Sequence, residues 1–192
     1  VDTLSKYNGI LVPGGFGTRG SEGIINTSNF ARENNIPYLG ICFGFQLAAV
    51  SFARNVCNYS DANSTEIEEK TSNPIIDLLP EQDDVTDMGG SLRLGANEIN
   101  VKPNTLANKI YGQERISKRH RHRYEFNTKY LNEFAENGMI FSGESDNGRR
   151  MEILEIPSHK FFVGVQFHPE FNSRPGYPEQ VFKAFTTAAN QN

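Results

Sequence analysis

Apolar positions fall in short blocks along this chain, and the blocks alternate between two periods. "GILVP" (9–13) and "PYLGIC" (37–42) are compact apolar runs of strand length. Between them, residues 22–34 carry Ile24, Ser28 and Ala31 on one helical face, and "FGFQLAAVSFARNV" (43–56) is a largely apolar helix. Strand, helix, strand, helix in that order predicts a three-layer α/β fold, with a mostly parallel central sheet flanked by helices. Such sheets place their sites beyond the carboxyl ends of strands, where "PGGFG" and Cys42 both fall.

The middle of the chain is more polar. Residues 68–90 contain "EEKTSNP", "LLPEQDD" and "DMGG" and read as a surface excursion. "SLRLG" and "EINVK" alternate like a hairpin, "TLANKIYG" is a short helix, and "YEFN" ends a polar strand. A helix over 128–137 stops at Gly138, a glycine C-cap. "GMIFSGE", "RMEILEIP" and "KFFVGVQF" supply the last strands, and a helix over 179–189 follows. No repeat or low-complexity linker divides the chain, so residues 1–192 are expected to form one domain.

Composition narrows the class. With 37% hydrophobic and 22% charged residues the chain is a soluble globular type, and no apolar stretch is long enough to span a bilayer. A net charge of −4 argues against a general nucleic-acid binder. Two cysteines make no disulfide framework, and "VDTLSKYNG" has no apolar leader segment, so a reducing, cytoplasmic setting is expected.

One of those cysteines stands in an unusual place. Gly40 and Gly44 flank Cys42 at a spacing of two, the pattern of a nucleophile displayed on a sharp strand-to-helix turn. Side chains at those positions would collide with neighbouring backbone. The following helix points its N-terminus at the sulfur, favouring the thiolate, and leaves the Phe43 N–H to stabilise an oxyanion. A buried structural cysteine is the competing reading of the pentapeptide. Cys57 lacks flanking glycines and reads as packing.

A cysteine nucleophile needs a base and an orienting partner. His168 ends an apolar strand, and Glu170, two residues on, falls on the same side of an extended backbone. His159 lies in a turn and is expected to be solvent-exposed. "GFGTRG" (15–20) fits a dinucleotide-binding glycine pattern, but the next strand ends in Cys42 instead of the acid that would hold a ribose. "KRHRHRYE" puts Arg119, Arg121 and Arg123 on one face if extended, either a solvated basic surface or forks for a carboxylate.

"GICFGFQ" and "QFHPEF", with "VPGGFG" upstream, resemble the class I glutamine amidotransferases, which hydrolyse glutamine through a Cys-His-Glu triad and pass on ammonia. With "DANSTE", "MGGSLRLG", "RHRHRYEFN" and "FHPEFNSRP" added, nearly the whole chain is similar to the glutaminase domains of the UTP-aminating members of that family. The resemblance implies a triad of Cys42, His168 and Glu170. It implies an oxyanion hole from the peptide N–H groups of Gly15 and Phe43, and a glutamine-binding loop of Gly44, Phe45 and Gln46. Arg123 would bind the substrate α-carboxylate, with Arg121 a weaker candidate, and Glu66 would meet the α-ammonium. Phe43 and Phe45 stand where Leu and Met are more frequent in the family.

The same resemblance implies a mobile lid around Arg19 linked to GTP activation, and no metal or cofactor in this domain. ATP and Mg²⁺ would belong to a synthetase (amidoligase) domain that aminates UTP to CTP, in a homotetramer. Those relatives carry a further strand–helix–strand before "GILVPGGFG", preceded by the synthetase domain, and this chain is expected to lack both. Two alternatives remain: a stand-alone glutaminase or γ-glutamyl hydrolase with the same triad, and an inactive interaction remnant.

Overall fold

The computed structural model describes residues 2–78 and 92–191. Strand β1 (Ile10–Val12) leads to α1 (Ser21–Glu33), β2 (Tyr38–Ile41) and α2 (Phe43–Asn55). Two short strands, β3 (Asn63–Ser64) and β4 (Pro74–Asp77), precede β5 (Arg93–Val101), α3 (Leu106–Tyr111), β6 (Arg115–His122) and β7 (Glu125–Phe126). The chain continues through α4 (Leu131–Glu136), β8 (Ile140–Ser145), β9 (Arg150–Glu155), β10 (Phe162–Val165) and α5 (Gln180–Ala189).

Seven strands form the main sheet in the order β1-β2-β10-β9-β8-β5-β6, and β3-β4-β7 form a small second sheet. The three-layer α/β arrangement is as expected. Parallel pairing is gathered at β1–β2–β10, the ladder that carries Cys42, and the other pairings of the main sheet are antiparallel. Connection length explains the division. The turn between β8 and β9 spans only Asp146–Arg149, far too short for the crossover a parallel pair requires.

Alternation along the strands splits the core in two. Tyr38, Leu154 and Phe162 face α1 and α2, whereas Leu39, Ile41, Ile153, Val163 and Val165 face α3 and α5. Helix α2 is buried at every position from Phe43 to Ala53, because α1, the main sheet and the small sheet all pack against it. That burial fits its apolar sequence.

Several expectations need correction. Ile25, not Ile24, is buried with Ser28 and Ala31 on α1. The supposed surface excursion over 68–90 is exposed at 68–70 and 72 but includes β4, whose Ile75 and Ile76 are fully buried beside α2; its stretch 79–90 lies outside the described residues. "SLRLG" and "EINVK" do not form a hairpin: from Arg93 they run through one strand, and Gly95 absorbs a φ of 83° without breaking the ladder. Ser91 of that segment lies outside the described residues. "YEFN" belongs to the small sheet, not to the end of β6. His159 is half-buried: its Nδ1 accepts from the Phe161 N–H, so Nε2 donates to the Ala31 carbonyl at 3.1 Å.

Candidate active site

Cys42 sits between β2 and α2 with φ 50° and ψ −98°, a conformation an L-residue holds at a cost of about 1–3 kcal/mol. Its N–H is anchored to the Val165 carbonyl at 2.8 Å. The flanking glycines are there for the reason the sequence suggested. A Cβ on Gly40 would lie 2.6 Å from the Gly44 carbonyl carbon and oxygen, and one on Gly44 would lie 2.5 Å from the Val12 oxygen.

The turn opens into a cavity of about 620 Å³. Its walls come from the glycine loop after β1 (Gly14, Gly15, Phe16), from the elbow (Cys42, Gln46), from the end of β6 (Arg121 to Tyr124), and from Glu66, Leu92 and His168. The sulfur and the imidazole therefore share one pocket. Gly14 separates them: a Cβ there would lie 2.9 Å from His168 Cε1 and 3.7 Å from Cys42 Cβ.

His168 Nδ1 bonds Glu170 Oε1 at 2.6 Å, the main-chain N–H of His168 donates to the Arg119 carbonyl, and Phe171 stacks on the ring. The pairing does not come from an extended strand, because Pro169–Asn172 form a 3-10 turn that brings Glu170 back to the ring. Partial burial, the largest single influence, works against ionisation of Glu170, but the hydrogen bond and charge of His168 and a backbone hydrogen bond together outweigh it and hold the carboxyl below its ordinary range. An ionised Glu170 keeps the proton on Nδ1. Nε2, buried and without a hydrogen-bond partner among the described residues, is left as the base.

The resting sulfur departs from expectation. Burial pushes the Cys42 thiol up to about 12, against the Phe43 N–H, which favours the thiolate; Glu170, Glu66 and Glu125 add to the rise. Desolvation thus outweighs the helix N-terminus. The neutral S–H faces the Arg121 carbonyl at 3.9 Å. Alkylation of Cys42 by iodoacetamide in the free protein is therefore expected to rise with unit slope in pH through pH 7–9. A rate already level at pH 6–7 would indicate a pre-formed thiolate–imidazolium pair instead.

The remaining site residues divide into those in the cavity and those behind it. Arg123 lines the wall and makes no ion pair among the described residues. Glu66, on the same wall, accepts the Gly17 N–H at 2.7 Å and so ties down the glycine loop. Arg121 is exposed and meets the thiol through its carbonyl. Gln46 is buried, its amide nitrogen held by the Tyr124 carbonyl at 3.0 Å and by Gln166 at 3.3 Å. Gly44 and Phe45 lie behind the sulfur, Gly44 against Val12 and Phe45 fully buried against Gly164, so they shape the turn without lining the cavity. The Phe43 ring packs near Gly15. Cys57 is core packing, as expected. Arg19 is exposed on the loop before α1. That helix begins only at Ser21, well past β1, so the glycines border the cavity instead of opening a dinucleotide fold.

Three residues escaped the sequence reading. Gln166 touches the sulfur, and His122 and Tyr124 line the cavity. The signal for His122 was the strict alternation of β6, which turns Arg119 and Arg121 outward and His120 and His122 inward. Those histidines join a buried layer with Arg93, Glu125, Arg150 and Glu152. Burial keeps both rings neutral, pushing them down to about 2 and about 3, and raises Glu125 to about 7 despite its two arginines.

The chain belongs to the class-I glutamine amidotransferase family, whose profile matches residues 1–188. Within that family its similarity runs to CTP synthases. It is 57% identical over 188 residues to the CTP synthase of Archaeoglobus fulgidus, covering 98% of this chain and 35% of that protein. It is 54% identical over 192 residues to that of Thermococcus kodakarensis, covering 100% and 36%. The chain thus spans about a third of the length of these relatives. Among solved structures, the glutaminase domain of Trypanosoma brucei CTP synthase, with bound acivicin, superposes with a TM-score of 0.93 at 38% identity, over 100% of this chain and 74% of that one. A glutamine amidotransferase from Thermotoga maritima, 15% identical with a TM-score of 0.53 over 98% of this chain and 66% of its own, shares the fold. No helix among the described residues is long and apolar enough to cross a membrane, and no cluster of three His, Cys, Asp or Glu among them could hold a metal ion.

Proposed function

We propose that this chain hydrolyses the side-chain amide of L-glutamine and supplies the ammonia, as the glutaminase part of a CTP synthase. The observation that carries the reading is the buried Nε2 of His168, unpartnered among the described residues and oriented by Glu170, in the same cavity as the strained Cys42. Nε2 takes the thiol proton as the sulfur attacks the amide carbon. The Gly15 and Phe43 N–H groups receive the charge that develops on oxygen, each worth roughly 3–4 kcal/mol in acyl transfer. The imidazolium returns its proton to departing ammonia, leaving a γ-glutamyl thioester. A water deprotonated by the same nitrogen then attacks the thioester, releasing glutamate and restoring the thiol.

Recognition of the amino-acid end falls to Arg123 and Glu66. Arg123 makes no ion pair among the described residues, and its fork suits the α-carboxylate. Glu66 supplies the negative charge for the ammonium. Replacing Arg123 with Ala is expected to raise KM for glutamine roughly 10- to 150-fold, the worth of a hydrogen bond to a charged group, with kcat little changed. Steady-state glutaminase kinetics test it, and an unchanged KM would contradict the assignment. Comparing glutamine with γ-glutamyl peptides as substrates separates this reading from a γ-glutamyl hydrolase.

The ammonia would pass to a synthetase domain where ATP and Mg²⁺ activate UTP. GTP would act through the lid near Arg19, in a cytoplasmic homotetramer. The lengths and names of the relatives support the synthetase partner domain; GTP, the lid and the tetramer follow from the family resemblance.

A further inference from the structure

We infer that Gln166 is a catalytic residue: its side-chain amide donates a hydrogen bond to the Cys42 sulfur and stabilises the thiolate when His168 removes the proton. The inference rests on the reading of Cys42 as nucleophile. Gln166 Nε2 lies 3.7 Å from Sγ, an ordinary length for an N–H···S contact, and the side chain is fully buried at the end of an apolar strand. A buried amide in such a place must have its groups satisfied.

The direction of this bond follows from the network itself. The Tyr124 main-chain carbonyl can only accept, and it faces Gln46 Nε2 at 3.0 Å and His122 Nδ1 at 3.1 Å. Gln46 must therefore present its nitrogen. That nitrogen also meets Gln166 at 3.3 Å, so Gln166 turns its oxygen toward Gln46 and its N–H toward the sulfur. Gln46 becomes a positioning residue, and a backbone carbonyl fixes the polarity of the whole chain of bonds.

The chemistry calls for such a donor. Burial holds the resting thiol neutral, so the anion needs local stabilisation when it forms. The proton moves from sulfur to His168 Nε2 and the electron pair stays on sulfur. The Gln166 and Phe43 N–H groups donate to it without losing their protons. Gln166 serves both the attack and the thioester's departure, when sulfur again takes the electron pair.

Iodoacetamide, which needs no glutamine site, is the probe. Gln166→Met keeps the volume and removes the donor. Its alkylation rate at Cys42 is expected to fall about tenfold at pH 8–9, with kcat for glutamine falling similarly and KM unchanged. Cys57, buried elsewhere, is the internal control and should keep its rate. A merely structural role gives the opposite sign, because a loosened site hydrates the thiol, lowers its pKa and speeds alkylation. Gln166→Glu is the second variant. It retains an oxygen for Gln46 but faces the sulfur with an acceptor, so its rate should fall further. Wild-type alkylation at Cys42 in either folded variant, or an increase, overturns the inference. A wild-type protein that alkylates at Cys42 yet never turns over glutamine would refute the proposed reaction while leaving the Gln166 comparison intact.

Discussion

Cys42→Ala is expected to lower glutamine turnover by roughly 10⁵- to 10⁶-fold, to the residue of catalysis that binding and the oxyanion donors supply. The size follows from the site's organisation. Nucleophile, base and orienting acid act as one unit, and no second thiol can replace the lost one, since Cys57 is buried in the core away from the cavity. The fold should tolerate the change. Alanine is smaller and apolar in a site that is 4% exposed, and the hydrogen bonds that set the turn come from the backbone. An assay of glutamate release, read beside thermal melting, checks both halves. A variant that melts normally and keeps even a hundredth of the activity would contradict nucleophilic catalysis by this residue.

Gly44→Ala should show the reverse pattern, a large loss of stability arising from one methyl group. The added Cβ would meet the Val12 oxygen at 2.5 Å and the Val12 Cβ and Cγ1 at 3.0 Å. The obstacle is the backbone of β1, which cannot rotate away as a flexible side chain could. Moving it disturbs the β1–β2 ladder or lifts α2 from the sheet, and α2 is the most completely buried helix of the fold. Overpacking of this kind costs about 3 kcal/mol or more. For a domain of this size that corresponds to a fall in Tm of roughly 6–12 °C. Gly40→Ala, with its Cβ 2.6 Å from the Gly44 carbonyl, should behave alike. A melting point within 2 °C of the wild type for both would mean that the turn is softer than its geometry indicates.

These two glycines show why the elbow was legible in sequence. The G-x-C-x-G pattern is local: the residues that collide are two positions from the one displayed, so spacing alone carries the information. The alternation of β1, α1, β2 and α2 was legible for the same reason, as were the Gly138 stop and the last three strands. What sequence concealed was set by long-range packing. The run from Arg93 to Val101 looked like two strands because Gly95, Ala96 and Asn97 resemble a turn, yet pairing with β6 keeps the backbone extended. Ile75 and Ile76 looked like part of a loop because what buries them, α2, lies some twenty residues earlier. The helix-terminal field on Cys42 was read correctly in sign, but its rival, burial, depends on everything that closes around the sulfur. Gln166 was hidden because its partners, Gln46 and Cys42, are more than a hundred residues away.

The most direct test of amide hydrolysis through Cys42 is to quench the protein in acid during turnover of L-glutamine and map the covalent intermediate by peptide mass. A γ-glutamyl group on Cys42, present in the wild type and absent from Cys42→Ala, is the expected result. Glutamate accumulating with no adduct on Cys42, or with an adduct on Cys57, would contradict it.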